Sequence, residues 1–560
     1  MLITDRFGAH IYPESFTDCL GFLTRPKYHG YIGWWYNINY DIEAILKWLD
    51  EQTMREFAKR GEGDFIYEKD TVKIKFVSGK FALFSIKKRE YVYYDLAGFL
   101  PGGLDFNAQK YIGKGKKSID LYLPEASLEQ MLSPEVLAYC KQDSAITGEL
   151  ADYFTSACNK NGIYTKNYSS PASLATSYFT SHCDIPTLQS ITKYKYTRAK
   201  LAYEAYKGGF VSTFKRGYFP KVYVYDINSA YPYQMTKLPD YRKGTMLMRI
   251  GDIPKDAYHG WLRCNIDVPD DLYGPGYYNP VAVYLKKFNK NFYFSGKIQA
   301  TITLLEYNAL KPYYKIEPLQ GIYWIPDELS FVFRDPVTSL YQKRLANLDN
   351  ASMQVVLKLV LNGFYGKSIQ KIPQGDGGYS TGNLFNPFYA SYITAGARIQ
   401  IFETLVKYVH PEHLISIMTD SVTMTEPSIP TSPGKVLGEY TLEMEGEGLF
   451  IGSGLYTLRT PNRTKTATRG FKFNKKIDFI ELCNANKKSK YIEMPQNYRL
   501  TYKESLRIKK FINWNIIDTK LKKIDINTDN KRQWAREFEN CEDILSCNID
   551  SKPINVNMRG

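Results

Sequence analysis

Apolar and polar positions change period several times along this 560-residue chain, and each change marks an element. The stretch "DTVKIKFVSGKFALFSIKKREYVYYDL" (70–96) alternates every second residue and breaks at Ser78-Gly79, which predicts a hairpin of half-buried strands. Before it, "YIGWWYNINYDIEAILKWL" (31–49) reads as strand, turn and amphipathic helix. Ser133-Pro134-Glu135 supplies an N-cap with proline at the first helical position, opening a helix through "EVLAYCKQDSAITGELADYF". "KNYSSPASLA" (166–175) reads as a linker into the next unit. In "KVYVYDINSAYPYQM" (221–235) a β-branched and aromatic run ends on one carboxylate, Asp226, and turns sharply. Residues 236–335 hold short strands rich in Tyr, Pro and Gly, the pattern of an inserted subdomain. Two helices joined near Asn347–Asn350 follow, and "HLISIMTDSVTMTE" (413–426) is two short strands around Thr-Asp-Ser. No repeat of fixed period is present.

Length allows three or four domains, or one large multi-lobed enzyme. The formal net charge of +15 and an aromatic content of 15%, with 47 Tyr, favour a polyanionic partner that stacks its bases, although solubility alone also explains a basic chain. Lys and Arg are dense from Arg459 onward. The eight cysteines form no CxxC pair, and reduced thiols in a cytosol-like compartment fit best. His410 and His413 flank Pro-Glu and read as a surface turn rather than a metal site. The opening "MLITDRFGAH" has neither the basic nor the apolar region of a secretory signal, and no stretch approaches the length of a membrane span.

The strand that ends on Asp226 has a counterpart at Asp420, each acid being followed closely by a serine, Ser229 or Ser421. Phosphoryl transfer uses two divalent ions about 4 Å apart, held by carboxylates on rigid strands. Mg²⁺ needs few protein ligands, because waters and phosphate oxygens complete its shell, so two strand-end aspartates suffice. Taken singly, each is as well explained as a turn cap. Between them, in "KLVLNGFYGKS", Lys358, Asn362 and Tyr365 fall at i, i+4 and i+7 on one helical face. A cation, an amide and an aromatic in line suit a triphosphate with its base, and Lys343 could add a second cation. A solvated helix face accounts for the spacing equally well.

The order "DINSAYP", "KLVLNGFYG", "MTDS" resembles motifs A, B and C of family B DNA polymerases, and "AYKGGF" (205–210) resembles their Tyr-x-Gly-Gly element. The large insert between motifs A and B resembles the protein-primed branch found in phages, linear plasmids and archaeal viruses. The resemblance implies an α+β multidomain fold: a right hand of palm, fingers and thumb, an N-terminal RNase H-like 3′–5′ exonuclease domain and a terminal-protein-region insertion. The boundaries expected are 1–165 exonuclease-like, 166–200 linker, 201–239 palm with motif A, 240–335 first insertion and 336–369 fingers. Then come 370–390, a short second insertion, 391–450, palm with motif C, and 451–560, thumb with a basic C-terminal region.

Carried over by residue, the resemblance makes Asp226 and Asp420 the ligands of two Mg²⁺ (or Mn²⁺) ions, with the Ile227 carbonyl as an extra ligand. Tyr231 becomes the ring that excludes a 2′-hydroxyl; Lys358 and Lys343 hold the triphosphate, and Asn362 and Tyr365 line the nascent pair. Tyr206, Gly208 and Gly209 contact template backbone, Thr419 and Ser421 sit by the primer terminus, and Tyr456 joins them. Lys465 and Arg469, in "TKTATRGFK" (464–472), grip the duplex. Three positions depart from the pattern: Met418 replaces the first acid of motif C, Gly363 a usual Ser, and Gly454-Leu-Tyr456 lacks the cation of a Lys-x-Tyr element, which is missing or supplied by Arg459.

In the N-terminal region "NINYD" (37–41) and "YCKQD" (139–143) resemble the second and third exonuclease motifs, giving Asp41, Tyr40, Tyr139 and Asp143 as site residues. Lys116, or Lys117 beside it, matches a lysine near the scissile phosphate. The first motif, Asp-x-Glu, is not found, so the sequence is expected to begin downstream of it and excision to be crippled. The short second insertion, "QKIPQGDGGYSTGNLFNPF" (370–388), implies weak strand displacement. The partners implied are template-primer DNA, dNTPs and a terminal protein, with no membrane and a monomeric chain. A nucleic-acid-primed polymerase and a non-catalytic DNA-binding relic are the alternatives.

Overall fold

The computed structural model describes residues 2–46, 48–60, 62–67, 70–116, 128–192, 196–373, 378–469, 477–499 and 517–556. The expectations that fall on Lys117, on 374–377 and on 470–472 lie outside them.

The N-terminal region is built on a five-stranded sheet: β1 (Ile32–Trp35), β2 (Glu62–Tyr67), β3 (Asp70–Val77), β4 (Phe81–Ile86) and β5 (Arg89–Asp95), in spatial order β1-β5-β4-β3-β2. The alternating pattern places Val72, Ile74 and Phe76 inward and Lys73 and Lys75 outward, as a strand with one wet face requires. Helix α1 (Ile38–Leu46) follows β1, and α2 (Pro134–Lys160) starts where Ser133 accepts a hydrogen bond from the Val136 N–H. β1 lies parallel to β5 at the sheet's edge.

Within the expected linker, 166–200, the described residues include helices. Ser170 caps α3 (Pro171–His182), whose Phe179 packs on Phe364 at 4.7 Å, and a further helix, α4 (Ala199–Ala205), leads into the next unit. Ser170-Pro171 is an N-cap followed by proline, so the loop-like composition belongs to a helix start.

The palm is a nine-stranded sheet around one long strand. β6 (Phe210–Thr213) precedes β7 (Lys215–Ile227), and α5 (Ala230–Met235) follows. The insertion comes next, with β8 (Gly244–Ile250), β9 (His259–Val268), β10 (Phe294–Thr303), α6 (Leu304–Leu310) and β11 (Lys315–Pro326). Its sheet is antiparallel among these four, in order β8-β11-β9-β10. The two expected fingers helices are α7 (Arg334–Leu345) and α8 (Ala351–Gly363), the second capped by Asn350. A small hairpin, Lys371–Pro373 with Tyr379–Thr381, lies within the segment 370–388.

Helix α9 (Pro387–Tyr408) runs beneath the palm and is buried nearly all round. It is followed by β12 (Leu414–Thr419), β13 (Ser421–Met424), β14 (Tyr440–Gly452), β15 (Leu455–Thr460) and β16 (Arg463–Thr468). Spatial order is β16-β15-β14-β7-β13-β12-β6, so β7 is bonded on both sides. The C-terminal region holds α10 (Phe479–Ala485), the paired strands β17 (Tyr491–Arg499) and β18 (Ile517–Asp525), and α11 (Cys541–Ser546). The chain then returns: β19 (Asn548–Lys552) pairs with the start of β7, and β20 (Ile554–Asn555) adds a parallel strand to β10 of the insertion. Among the described residues no helix is long and apolar enough to cross a membrane.

Candidate active site

Asp226 is the penultimate residue of β7, and Asp420 is the turn between β12 and β13. In the antiparallel register Ser421 lies directly opposite Asp226, and the Ile227 N–H donates to the Asp420 carbonyl at 2.9 Å. The acids therefore meet across one rung of the sheet. Both approaches are strained: Thr419 (φ 67°) and Ser229 (φ 51°) lie in the left-handed region, which a β-branched threonine strongly disfavours. The strain is held by neighbours. The Asp420 N–H closes a tight turn onto the Met418 carbonyl at 2.8 Å, and Asn228 is bonded to Glu439 and Gly438.

Burial pushes the Asp226 carboxyl up to about 7, and the charges of Asp420 and Glu443 push the same way; Lys465 and Lys358 pull it back. Asp420 is also raised, again by burial first, with Glu443 opposing ionisation and the same two lysines favouring it. Two crowded carboxylates titrate as a pair that holds a proton tightly, and a cation placed between them would replace it. Among the described residues no three metal-ligating side chains form a ready cage, so waters and phosphate oxygens would complete the shell of any ion at the pair.

Glu443 is a residue that the sequence reading missed. It sits where the β14–β7 register slips between Leu442 and Met444, which turns it toward the acids. Lys465 on β16 bonds it at 2.8 Å, with Arg463 at 3.4 Å. Lys465 therefore stands beside the acid pair. Arg459, the other candidate for the missing Lys-x-Tyr cation, is turned away: Asp478, Glu447 and Glu481 hold its guanidinium at the base of the thumb. Tyr456 stacks on Phe450 at 5.5 Å, and its hydroxyl feels Lys465, Glu443 and both aspartates. Arg469 lies at the end of β16, with Nε donating to the Ser453 carbonyl at 3.0 Å.

The Tyr231 and Tyr365 rings are 4.5 Å apart, and the Tyr365 and Tyr206 hydroxyls share a hydrogen bond of 2.9 Å. A Cβ at Gly209 would lie 2.6 Å from Thr419 Cγ2 and 2.9 Å from the Tyr231 hydroxyl, so that position requires glycine; Gly208 faces open space. Lys358 and Asn362 are exposed on α8, and the helix ends at Gly363, so Tyr365 stands on a following short 3₁₀ turn rather than on the same helical face. Gly363 has a packing reason: a Cβ there would come within 2.9 Å of the Pro171 carbonyl on α3. Lys343 is exposed, and its neighbour Arg344 is the fingers cation that reaches motif A, with Nη1 3.4 Å from Ser229 Oγ.

Sequence reasoning also missed Arg398. It is 1% exposed within α9, pairs with the buried Glu306 at 2.6 Å, and donates to the Lys207 and Gly208 carbonyls at 3.0 and 2.8 Å. An arginine inside the apolar run "YITAGARIQIF" was the available signal. It fixes the backbone on which Gly208 and Gly209 stand.

In the N-terminal region, Lys116 pairs with Asp143 at 2.7 Å and lies 4.3 Å from the Tyr139 ring centre. Asp143 is raised by burial, with Lys116 and Tyr139 opposing, and its Oδ1 is a buried oxygen with no hydrogen-bond partner. Burial first, and then the charges of Asp143 on α2 and Asp41 on α1, raise the Cys140 thiol, so both acids lie within electrostatic reach of it. Tyr40 is 45% exposed.

Residues 106–375 match the family described as DNA polymerase type B, organellar and viral. The DNA polymerase of Acidianus bottle-shaped virus (isolate Italy/Pozzuoli) is 29% identical over 358 residues, which is 61% of this chain and 50% of that protein. The chain thus spans half the length of that curated relative. Among solved structures, Phi29 DNA polymerase complexed with primer-template DNA aligns at a TM-score of 0.64 and 17% identity, over 92% of this chain and 94% of that one. The Phi29 ternary complex with primer-template DNA and incoming nucleotides aligns at 0.62 over the same shares, also at 17% identity. At this identity the likeness speaks for the fold.

Proposed function

We propose that the chain is a type B DNA polymerase of the organellar and viral kind that its residues 106–375 match, and that it extends a DNA primer by two-metal nucleotidyl transfer. The observation that carries this reading is the meeting of Asp226 and Asp420 across one rung of the palm sheet, with Asp226 held near neutrality by its surroundings. Two divalent ions, Mg²⁺ or Mn²⁺, bound by the pair would activate the primer hydroxyl and neutralise charge on the phosphate under attack.

The protein's own groups bind and orient. Lys358 faces the acids from the fingers and holds triphosphate charge, with Lys343 and with Arg344, whose Nη1 reaches Ser229 Oγ. Tyr231, backed by Tyr365, lies beneath the sugar and excludes a 2′-hydroxyl. The loop of Tyr206, Gly208 and Gly209, pinned by Arg398, brings bare backbone to the template. Lys465 takes the place of the cation absent at Gly454 and, released from Glu443, meets the primer phosphate beside Thr419, Ser421 and Tyr456. The insertion at 240–335 supports a terminal protein as the source of the first hydroxyl. For the N-terminal site the reading is a crippled 3′–5′ exonuclease, in which Asp41 and Asp143 act with Lys116 already committed to Asp143.

Primer extension with Mg²⁺ tests the polymerase reading. Asp226→Ala and Asp420→Ala should each abolish extension while binding to primer-template persists. Extension by either variant at the wild-type rate would overturn it.

A further inference from the structure

Two thiols far apart in the chain share one apolar core in the C-terminal region. Cys483 lies on α10 and Cys541 opens α11, and both are free and fully buried. Backbone bonds hold the end of α10 against the start of α11. The Asn486 N–H donates to the Cys483 carbonyl at 3.1 Å, and the Ser489 N–H to the Asn486 carbonyl at 2.9 Å. The Cys541 N–H then donates to the Ser489 carbonyl and the Glu542 N–H to the Lys487 carbonyl, both at 2.9 Å. Asn540 caps α11 through the Glu542 and Asp543 N–H groups, which fixes its first turn. Phe479, Ile492, Phe538 and Ile544 pack in the same core. The other fully buried cysteines, Cys19, Cys158 and Cys264, each belong to a different core that holds no second fully buried cysteine.

The two thiols are hydrogen-bonded to one another. That bond lowers Cys541 against the opposing effect of burial, and it raises Cys483 together with burial, so Cys541 ionises first. Sulfurs already in hydrogen-bond contact need only a short approach to reach the covalent separation of about 2 Å. Cys547, beyond the end of α11, does not compete: Asp543 accepts from its thiol at 2.8 Å and Arg536 lies 3.2 Å away. Among the described residues no group of three metal-ligating side chains includes the pair, so it is not half of a metal knuckle.

We propose that Cys483 and Cys541 are a site of oxidative crosslinking, joined as an intramolecular disulfide by exchange with a low-molecular-weight disulfide such as oxidised glutathione. The Cys541 thiolate attacks one glutathione sulfur and releases the other half as a thiol. Cys483 gives up its proton and attacks the Cys541 sulfur of the mixed disulfide, releasing the second half. The two cysteines together lose two protons and two electrons, and the oxidant becomes two thiols. Because both thiols are buried, exchange occurs on local opening of α11 or during folding. The crosslink closes a loop that carries β17 and β18 and clamps α11, whose next strand, β19, pairs with β7 at Gly217 and Arg216. It thus secures the returning segment to the strand that ends on Asp226, and it stands independently of the polymerase reading.

Refolding the full chain from urea in oxidised or reduced glutathione, then alkylating with N-ethylmaleimide in urea before mass spectrometry, tests it. The oxidised buffer should protect two of the eight thiols and yield one crosslinked peptide pair joining residues 483 and 541. Excess dithiothreitol should restore both thiols. Long incubation of the native chain just below its melting onset gives the same readout without refolding. The oxidised chain should melt several degrees above the reduced one, because the crosslink restricts the unfolded chain. Cys483→Ala and Cys541→Ala should each abolish that difference between buffers, whatever their own stability, and Cys547→Ser should retain it. Eight alkylated thiols after the oxidised buffer would overturn the proposal. So would a crosslink from either residue to Cys547, or a melting difference that survives Cys483→Ala.

Discussion

Replacing Asp226 by Asn should stabilise the metal-free chain while abolishing its chemistry. The carboxyl is held at about 7 against an ordinary 3.8, chiefly by burial and then by Asp420 and Glu443. A group that binds its proton more tightly when folded lends stability below the unfolded pKa and loses that contribution as pH rises to the folded one. The window here is about pH 4 to about pH 7. Over that gap, at ~1.4 kcal/mol per pH unit, the ionised carboxylate costs about 4 kcal/mol. Asp226 is only partly buried, so screening reduces the expected gain of the neutral amide to about 2–4 kcal/mol above pH 7. Urea unfolding in chelator, followed by tyrosine and tryptophan fluorescence, should show the variant more stable at about pH 8, with the difference vanishing toward pH 4. Adding Mg²⁺ should raise wild-type stability more than that of the variant, because only the wild type gains a cation between two carboxylates. A variant less stable than wild type at pH 8, or a difference independent of pH, would refute the claim that these acids repel one another in a desolvated site.

Other substitutions probe separate parts of the site. Tyr231→Ala should relax discrimination against ribonucleotides by about 10–200-fold in kcat/KM, measured by single-nucleotide extension with dNTP against rNTP. Arg398→Ala leaves Glu306 charged and buried and frees the 207–208 loop; it should cost about 3–5 kcal/mol in unfolding and weaken template binding. Excision of a mismatched 3′ nucleotide by the wild-type chain should be no faster than by Asp143→Ala, and a clear excess would show a working exonuclease.

Much of the fold was legible because strand periodicity and caps are local signals. The alternation over 70–96 became three strands, and Ser133-Pro134 and Asn350 both start helices. The two acids were legible because each ends or interrupts an apolar strand. Glu443 was hidden since "YTLEMEGEGLF" alternates like an ordinary strand with a wet face; only a register slip against β7 turns that one side chain to the acids. Arg398 was hidden in a helix with no polar stripe. The returning segment was the least readable, because what holds it is long-range: Arg216 against Trp534 and Phe538, and Arg532 against Phe214 and Tyr277. Composition shows Arg532 as part of a basic tail, although the structure spends it on packing.

That distinction bears on how the net charge of +15 should be read. Some of the cations are buried ties, and many exposed ones are paired with carboxylates, so the bulk charge overstates what is available to DNA. Against this, the acid pair is a small negative focus: Asp226, Asp420 and Glu443 face Lys465 and Lys358. A DNA phosphate approaching the basic surroundings is attracted until it reaches that focus, where it is repelled unless divalent cations are present. A proton held by Asp226 near neutral pH lessens the repulsion within the sheet, and a divalent cation bound at the pair would displace that proton and reverse the sign of the local field. On the proposed reading, binding and chemistry would be separable: the basic surface would hold duplex without metal, while turnover would wait on the ions. The same argument accounts for Met418. A third aspartate beside Asp420 would add to the repulsion that burial already imposes, whereas Glu443, bonded to Lys465, brings its charge with a counter-ion attached.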